Sequence, residues 1–314
     1  MAEILPGGYA AAAAIAYIKC DSCETIGGNV TPPLPSGGMT DEGTPGYDSM
    51  ASGYARFWGP VIYPAAVKVL DEVAAELDAR DEVHLLDLGS GTGALAIAML
   101  ERWPRHRVTG IDPSGGMLEV ARALADERLT ERVARRFSAE VASADRLPFE
   151  DGAFDAAVSS FVLQLVDERP AALREVRRVL RPGATFAWVA WERTDRVYEP
   201  DRIANDILDE AGFDPPEPDT RQGDLESAEK TEREMREAGF EPVVVRTGEL
   251  AHEWDSQGYV EFFTEFDEAS LFGELEPDER QELRDKLRDS LDGLTHEQMT
   301  LRLPVLYVVG RAPD

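Results

Sequence analysis

The sequence predicts an α/β protein, a parallel sheet with helices on both faces. Strand-like aliphatic runs alternate with helix-like amphipathic segments between residues 83 and 191. The first run, "VHLLDLG", opens into a glycine loop and then a helical pattern. The chain is also long enough for a substantial core, with 314 residues of which 43% are hydrophobic. That length suits one large domain or two small ones.

The elements follow in order. Residues 1–46 read as a flexible N-terminal extension, because "GGNVTPPLPSGGMTDEGTPG" buries little surface. The only cysteines, Cys20 and Cys23, stand there in "CDSC". No second cysteine pair or histidine pair completes a metal-ligand set, so no metal is expected. From Tyr47 to residue 82, aromatic and aliphatic residues recur at helical spacing, broken by Gly59-Pro60 and Pro64. Two helices are expected there, the second from about Pro64 to Leu77.

The glycine loop follows the first strand. "ALAIAMLERW" reads as a helix ended by Pro104, and "RVTGID" as the second strand. "SGGMLEVARALADE" is a helix with Ser114 as its N-cap. "RRFSAEVAS" is a weaker third strand and "FDAAVSSFVLQLV" a fourth. "RPAALREVRRVLRPGA" is a helix closed by Pro182-Gly183, and "TFAWVAW" is the fifth strand. Beyond Trp191 a polar helix leads to the strand "PVVVRT", and "LPVLYVVGR" is the last strand. Between them lies an acidic segment, 249–300. Leu283, Leu287 and Leu291 recur in it every four residues, the mark of an amphipathic helix.

Charge narrows the function classes. The formal net charge is -29, which argues against nucleic acid and anionic membrane surfaces as partners. No stretch has the length and apolarity of a membrane span. So few cysteines fit a reducing, cytoplasmic setting.

A glycine loop between strand and helix lets a ligand approach the backbone. The dinucleotide fingerprint spaces its glycines G-x-G-x-x-G, whereas Gly89, Gly91 and Gly93 are spaced G-x-G-x-G and Ala94 follows. A phosphate-binding loop needs a lysine that is absent after Gly93. A tight turn with no ligand is the plain alternative. Asp112, 19 residues after Gly93, ends the second strand, where a carboxylate can accept from both hydroxyls of a ribose. A turn or capping aspartate is its plain alternative.

"LLDLGSGTG", "VTGIDPSGGMLEVAR", "ADRLPFEDGAFDAAVSSFVLQLV" and "REVRRVLRPGA" stand in an order and spacing that are jointly specific. In these segments the chain resembles the class I S-adenosylmethionine (SAM)-dependent methyltransferases. Within them it resembles the group that includes the ubiquinone and menaquinone biosynthesis C-methyltransferases. The resemblance covers about residues 83 to 191. It implies a Rossmann-like, doubly wound sheet of about seven strands, mostly parallel with the last antiparallel, and SAM as cofactor. The methyltransferase domain would span 47–314: N-terminal helices over 47–82, the cofactor-binding core over 83–191, and a helical insertion or cap over 249–300, with the N-terminal helices and the insertion together covering the pocket.

Residue by residue, the resemblance places Gly89, Ser90 and Gly91, with Gly93 closing the loop, against the methionyl and ribose parts of the cofactor. Asp87 supports its amino group. Asp112 holds the ribose, and Pro113 or Ser114 flanks the adenine. Ser143, Ala144 and Asp145 occupy the adenine-edge turn. Here the chain departs from the family, with Ser143 where a carboxylate is usual and Asp145 as the nearby substitute. Ser160 and Phe161 border the methionyl amine and the transferring methyl.

No general base stands out. His84 reads as structural, and His106 and His296 as solvated. His252 with adjacent Glu253, and Tyr54, are the candidates for catalytic work. Tyr259, Phe262, Phe263 and Phe266 recur at helical spacing, either as ordinary core or as a cap over an apolar acceptor. The expected function is methyl transfer from SAM to a small-molecule acceptor. The alternative is a noncatalytic SAM-binding regulatory or interaction protein. An NAD-dependent oxidoreductase is disfavoured by the glycine spacing. Neither the acceptor nor the oligomeric state follows from the sequence.

Overall fold

The computed structural model describes residues 50–213 and 224–314. The extension over 1–46, with Cys20 and Cys23, lies outside the described residues. Seven strands form one sheet: β1 His84–Leu88, β2 Arg107–Asp112, β3 Phe137–Val141, β4 Phe154–Ser160, β5 Leu180–Trp191, β6 Val243–Glu253 and β7 Thr300–Arg311. Their order is β3-β2-β1-β4-β5-β7-β6. β7 runs antiparallel to both its neighbours, and the other pairs are parallel. The expected sheet is therefore observed, including the reversed last strand.

The helices before and between the first strands are α1 Gly59–Ala66, α2 Val69–Asp78, α3 Ala94–Arg102, α4 Gly115–Arg128 and α5 Glu131–Ala134. Then come α6 Arg169–Val179, α7 Glu199–Glu210, α8 Ala228–Glu237, α9 Ser256–Phe262, α10 Ala269–Glu274, α11 Pro277–Leu291 and α12 His296–Met299. Two π-helical turns, Tyr54–Trp58 and Phe263–Asp267, precede α1 and follow α9.

Strand periodicity divides the core in two. Leu85, Ala156, Val158 and Val189 pack into one buried cluster. Their sequence neighbours Leu86, Leu88, Ala157 and Trp188 pack into the other. Both faces of the central strands are thus apolar, as continuous aliphatic runs require. Ser114 caps α4 as expected, accepting from the Met117 N–H at 3.0 Å. Leu283, Leu287 and Leu291 are the buried stripe of α11.

Several local expectations are corrected. Pro64 lies inside α1 rather than starting a helix. In so short a helix its missing donor removes only the bond to the Pro60 carbonyl, so the helix survives. The real break comes at Val67-Lys68. Pro182-Gly183 does not close a helix. Helix α6 ends at Val179, and both residues lie in β5 where its register with β4 shifts. Gly183 takes φ of 76° in that bulge.

β4 stops at Ser160, so "FVLQLV" is a turn rather than more strand. The segment 249–300 is not wholly helical, because 249–253 continue β6 against β7. His106 is buried, not solvated, with its ring 6.2 Å from that of Trp103. His84 is structural. Its Nε2 and the Thr109 hydroxyl are 2.8 Å apart, and its ring packs on Phe154. Burial holds its pKa below the usual imidazole value, with the nearby Arg107 charge adding to the effect.

Candidate active site

The sheet order reverses between β1 and β4, since β1 lies beside β2 on one side and β4 on the other. Ligands of open parallel sheets bind at such a point, beyond the carboxyl ends of the strands. A cavity of about 730 Å³ opens there. Asp87 and the glycine loop reach it from β1, Asp112 and Pro113 from β2, and Ser160 and Phe161 from β4.

The glycine loop is held by backbone conformation. Gly89, Gly91 and Gly93 have φ of 67°, 52° and 81°, the left-handed region that other residues enter at a cost. At Gly89 a Cβ would lie 2.3 Å from the Val162 side chain, and at Gly93 2.9 Å from the Ala121 Cβ. Gly89 lines the cavity; Gly93 instead seats α3 against α4.

Asp112 stitches the first two loops together. Its Oδ2 accepts the Gly91 N–H at 2.9 Å, and its Oδ1 accepts the Ser114 N–H at 2.9 Å. These two bonds fix the orientation of the carboxylate beside the loop. The loop is braced again where Ser90 N–H donates to the Ile111 carbonyl at 2.7 Å.

Asp87 is almost fully buried. It accepts the Ser90 hydroxyl at 2.8 Å. Burial pushes its pKa up to about 7; the Ser90 and Ala96 hydrogen bonds oppose this, and Asp112 adds a small upward push. At the end of β4, Phe161 is the only described non-glycine residue with positive φ, at 55°. Its ring packs 4.1 Å from Trp191, and its N–H donates to the Val189 carbonyl at 2.8 Å. A buried aromatic held in this conformation at a cavity wall is strain concentrated at a candidate site.

The turn over residues 143–145 also reaches the cavity. Ser143, Ala144 and Asp145 all line the cavity, and the Ser143 hydroxyl donates to Asp145 at 2.5 Å. Five carboxylates line it in total: Asp87, Asp112, Asp145, Asp167 and Glu168. Among the described residues, no lysine, arginine or histidine does.

The structure thus brings together every proposed cofactor residue except Gly93, which stands behind the wall, and Ser114, the alternative to Pro113, which caps α4 instead. It separates the catalytic candidates. Tyr54 lines the cavity, but burial raises its pKa well above the usual phenol range and the Asp112 charge adds to this. His252 and Glu253 do not line the cavity. They lie near the end of β6, the edge strand of the sheet. His252 packs its ring 4.5 Å from Trp254, and Glu253 pairs with His296 Nδ1 at 2.5 Å. Sequence adjacency on a strand points the two side chains to opposite faces, so they never formed a dyad.

Tyr259, Phe262, Phe263 and Phe266 are buried core and also do not line the cavity. The cover instead comes from the N-terminal helices, through Tyr54, Trp58, Ile62 and Tyr63. The aromatic spacing of "YARFWGPVIY" was the available signal, but periodicity alone cannot say whether a buried face meets core or ligand.

Residues 86–188 match the model of a methyltransferase-domain family. The ubiquinone/menaquinone biosynthesis C-methyltransferase of Paracoccus denitrificans is 38% identical over 136 residues, which cover 43% of this chain and 49% of that protein. The demethylmenaquinone methyltransferase of Lactiplantibacillus plantarum is 31% identical over 165 residues, covering 51% of this chain and 63% of that one. The chain therefore spans about half to three fifths of these curated relatives. The solved Haemonchus contortus phosphoethanolamine N-methyltransferase 2 shares the fold, with TM-score 0.52 at 16% identity over 85% of this chain and 58% of that one. The sheet order and the loop geometry agree with this match: over residues 86–188 the chain is similar to a methyltransferase domain, and its curated relatives there include ubiquinone/menaquinone C-methyltransferases.

Proposed function

We propose that this protein binds SAM and transfers its methyl group to a small-molecule acceptor. The observation that carries the reading is the charge of the cavity. It combines five carboxylates, one of them deeply buried, with no basic side chain. That set of acceptors suits a ligand with a ribose and two cationic centres, the ammonium and sulfonium of SAM. A dinucleotide or triphosphate would bring anionic phosphates into the same wall.

When bound, SAM supplies an electrophilic methyl on sulfur for in-line displacement. Asp87 would hold its ammonium and Asp112 its ribose hydroxyls, while Ser143 to Asp145 would border the adenine. Gly89 and Gly91 leave room for the ligand against the loop. Phe161 and Trp58 form an apolar wall that excludes water, and holding reactants in line in a dry site supplies much of the acceleration such chemistry needs. Tyr54 keeps its proton and orients rather than abstracts.

A second reading draws on one observation: no histidine lines the cavity and Tyr54 is held protonated. An acceptor that must lose a proton would then have only carboxylates to take it, which leaves room for a noncatalytic SAM-binding protein. Incubation with methyl-labelled SAM and fractionated metabolite extract separates the two. Methyl transfer reports the enzyme; tight SAM binding with no label transferred to any fraction favours the noncatalytic reading.

A further inference from the structure

The cover of the cavity is fastened to a part of the molecule that does not line it. Residues 50–66 form the cover, and Tyr54, Trp58, Ile62, Tyr63 and Ala66 line the cavity from it. The cover ends at the Val67-Lys68 break before α2.

The fastening has an apolar and a charged part. Phe266, in the second π-helical turn, meets the Tyr54 ring edge-on at 6.5 Å and the Phe57 ring at 6.3 Å. Gly53 makes room for it, since a Cβ there would lie 2.8 Å from Phe266 Cδ2. Beside it, Phe262 of α9 stacks on Trp58 at 5.8 Å. The Arg56 guanidinium spans two carboxylates of the same segment, Glu265 at 2.9 Å and Glu261 at 3.5 Å. Arg284 of α11 holds Glu265 in turn at 3.3 Å. Glu261, Phe262, Glu265 and Phe266 do not line the cavity. Two π-helical turns, Tyr54–Trp58 and Phe263–Asp267, thus meet at one ring. Such turns are rare and frequently mark functional sites. Every contact in this clasp is between side chains of the chain itself, so it holds with or without a ligand below.

We propose that residues 50–66 are a lid that swings about Val67-Lys68 to admit and release the cofactor, and that Phe266 with the Arg56–Glu261–Glu265 cluster is the clasp that sets how often it opens. The inference rests on the methyltransferase reading and adds how that site exchanges its ligand. Arg56, Gly53 and Phe266 are then positioning residues that act through Tyr54 and Trp58.

Stopped-flow binding of S-adenosylhomocysteine (SAH) to the full-length protein, read by tryptophan fluorescence, gives both rates. Loosening a clasp that holds in the free and bound states raises association and dissociation together and leaves affinity nearly unchanged. Losing a ligand contact raises dissociation alone. Arg56→Gln removes exposed ion pairs and is expected to raise both rates about threefold, with Kd within about twofold. Gly53→Ala suits the helical backbone at φ of -64° but drives a Cβ into Phe266. It is expected to raise both rates about tenfold. Salt is expected to speed both rates in the wild type and to have little effect in Arg56→Gln, because SAH has no net charge to steer. Arg236→Gln breaks the pair with Glu232 on α8, away from the cavity, and is expected to change neither rate. The proposal is overturned if folded Arg56→Gln keeps both wild-type rates, if dissociation alone rises in either lid variant, or if Arg236→Gln moves the rates as much. Should Gly53→Ala fail to fold, Arg56→Gln and the salt series carry the test. Failure of SAH to bind the wild type would instead count against the methyltransferase reading.

Discussion

Replacing Asp87 by Asn changes a buried carboxyl whose titration links folding to pH. The group has an ordinary value of 3.8 and is pushed by burial to about 7 in the folded chain. Below pH 3.8 it is protonated in both states and has no effect on stability. Between 3.8 and about 7 the unfolded chain has released the proton and the folded chain keeps it, so stability falls as pH rises, by about 1.4 kcal/mol per unit. Above 7 both states are ionised and the loss is constant. The gap of roughly 3 units amounts to about 4 kcal/mol in full, of which about 2–3 kcal/mol falls between pH 5 and 8.

Asn is uncharged throughout and still offers Ser90 an acceptor. The stability difference, Asp87→Asn minus wild type, should therefore rise by about 2–3 kcal/mol from pH 5 to 8. Urea denaturation followed by circular dichroism, without ligand, measures it. A difference that stays flat across this range would refute the claim that burial governs this carboxyl. The same variant should bind SAH more weakly, since the ligand ammonium loses its counter-charge. Wild-type SAH affinity should rise as pH passes from 6 toward 8 and Asp87 ionises.

Three further outcomes follow from the geometry. Asp112→Asn places an amide where one of the Gly91 and Ser114 N–H groups needs an acceptor, so about 1–3 kcal/mol of stability is expected to be lost, with SAH affinity down about tenfold or more; unchanged SAH affinity by calorimetry would contradict the ribose role. Gly93→Ala puts a Cβ 2.9 Å from the Ala121 Cβ at φ of 81°. It should lower the melting temperature, with at least the 1–2 kcal/mol cost of a left-handed residue, and an unchanged melting curve would argue against the loop conformation. His252→Ala should leave SAH affinity within about twofold, because a contact the cavity does not contain cannot contribute; a larger loss would return His252 to the site.

The strand–helix alternation was readable because both faces of the central strands are buried, which leaves continuous aliphatic runs bounded by turns. The loop ligands were readable because Asp87, Ser90 and Asp112 lie at strand ends whose positions the alternation already sets. What escaped the sequence depends on long-range pairing. β6 runs on to Glu253 because β7 supplies partners for a polar stretch whose own pattern is weak. Glu253 meets His296, 43 residues away, where adjacency had suggested His252. His106 is buried by Trp103 and its surroundings, although it stands in a polar turn. The N-terminal helices cover the cavity as expected, but Phe262 and Phe263 of the later segment stay in the core. All of these lie on apolar helical faces, and only the packing decides which face meets ligand.

The central claim is that the glycine loop and its carboxylates bind SAM and exclude phosphate-bearing nucleotides. Calorimetric titration of the full-length protein with SAH and, separately, with NADH tests it most directly. The account predicts saturable one-site binding of SAH, weakened by Asp112→Asn, and no binding of NADH. Binding of NADH without SAH, or of neither, would contradict it.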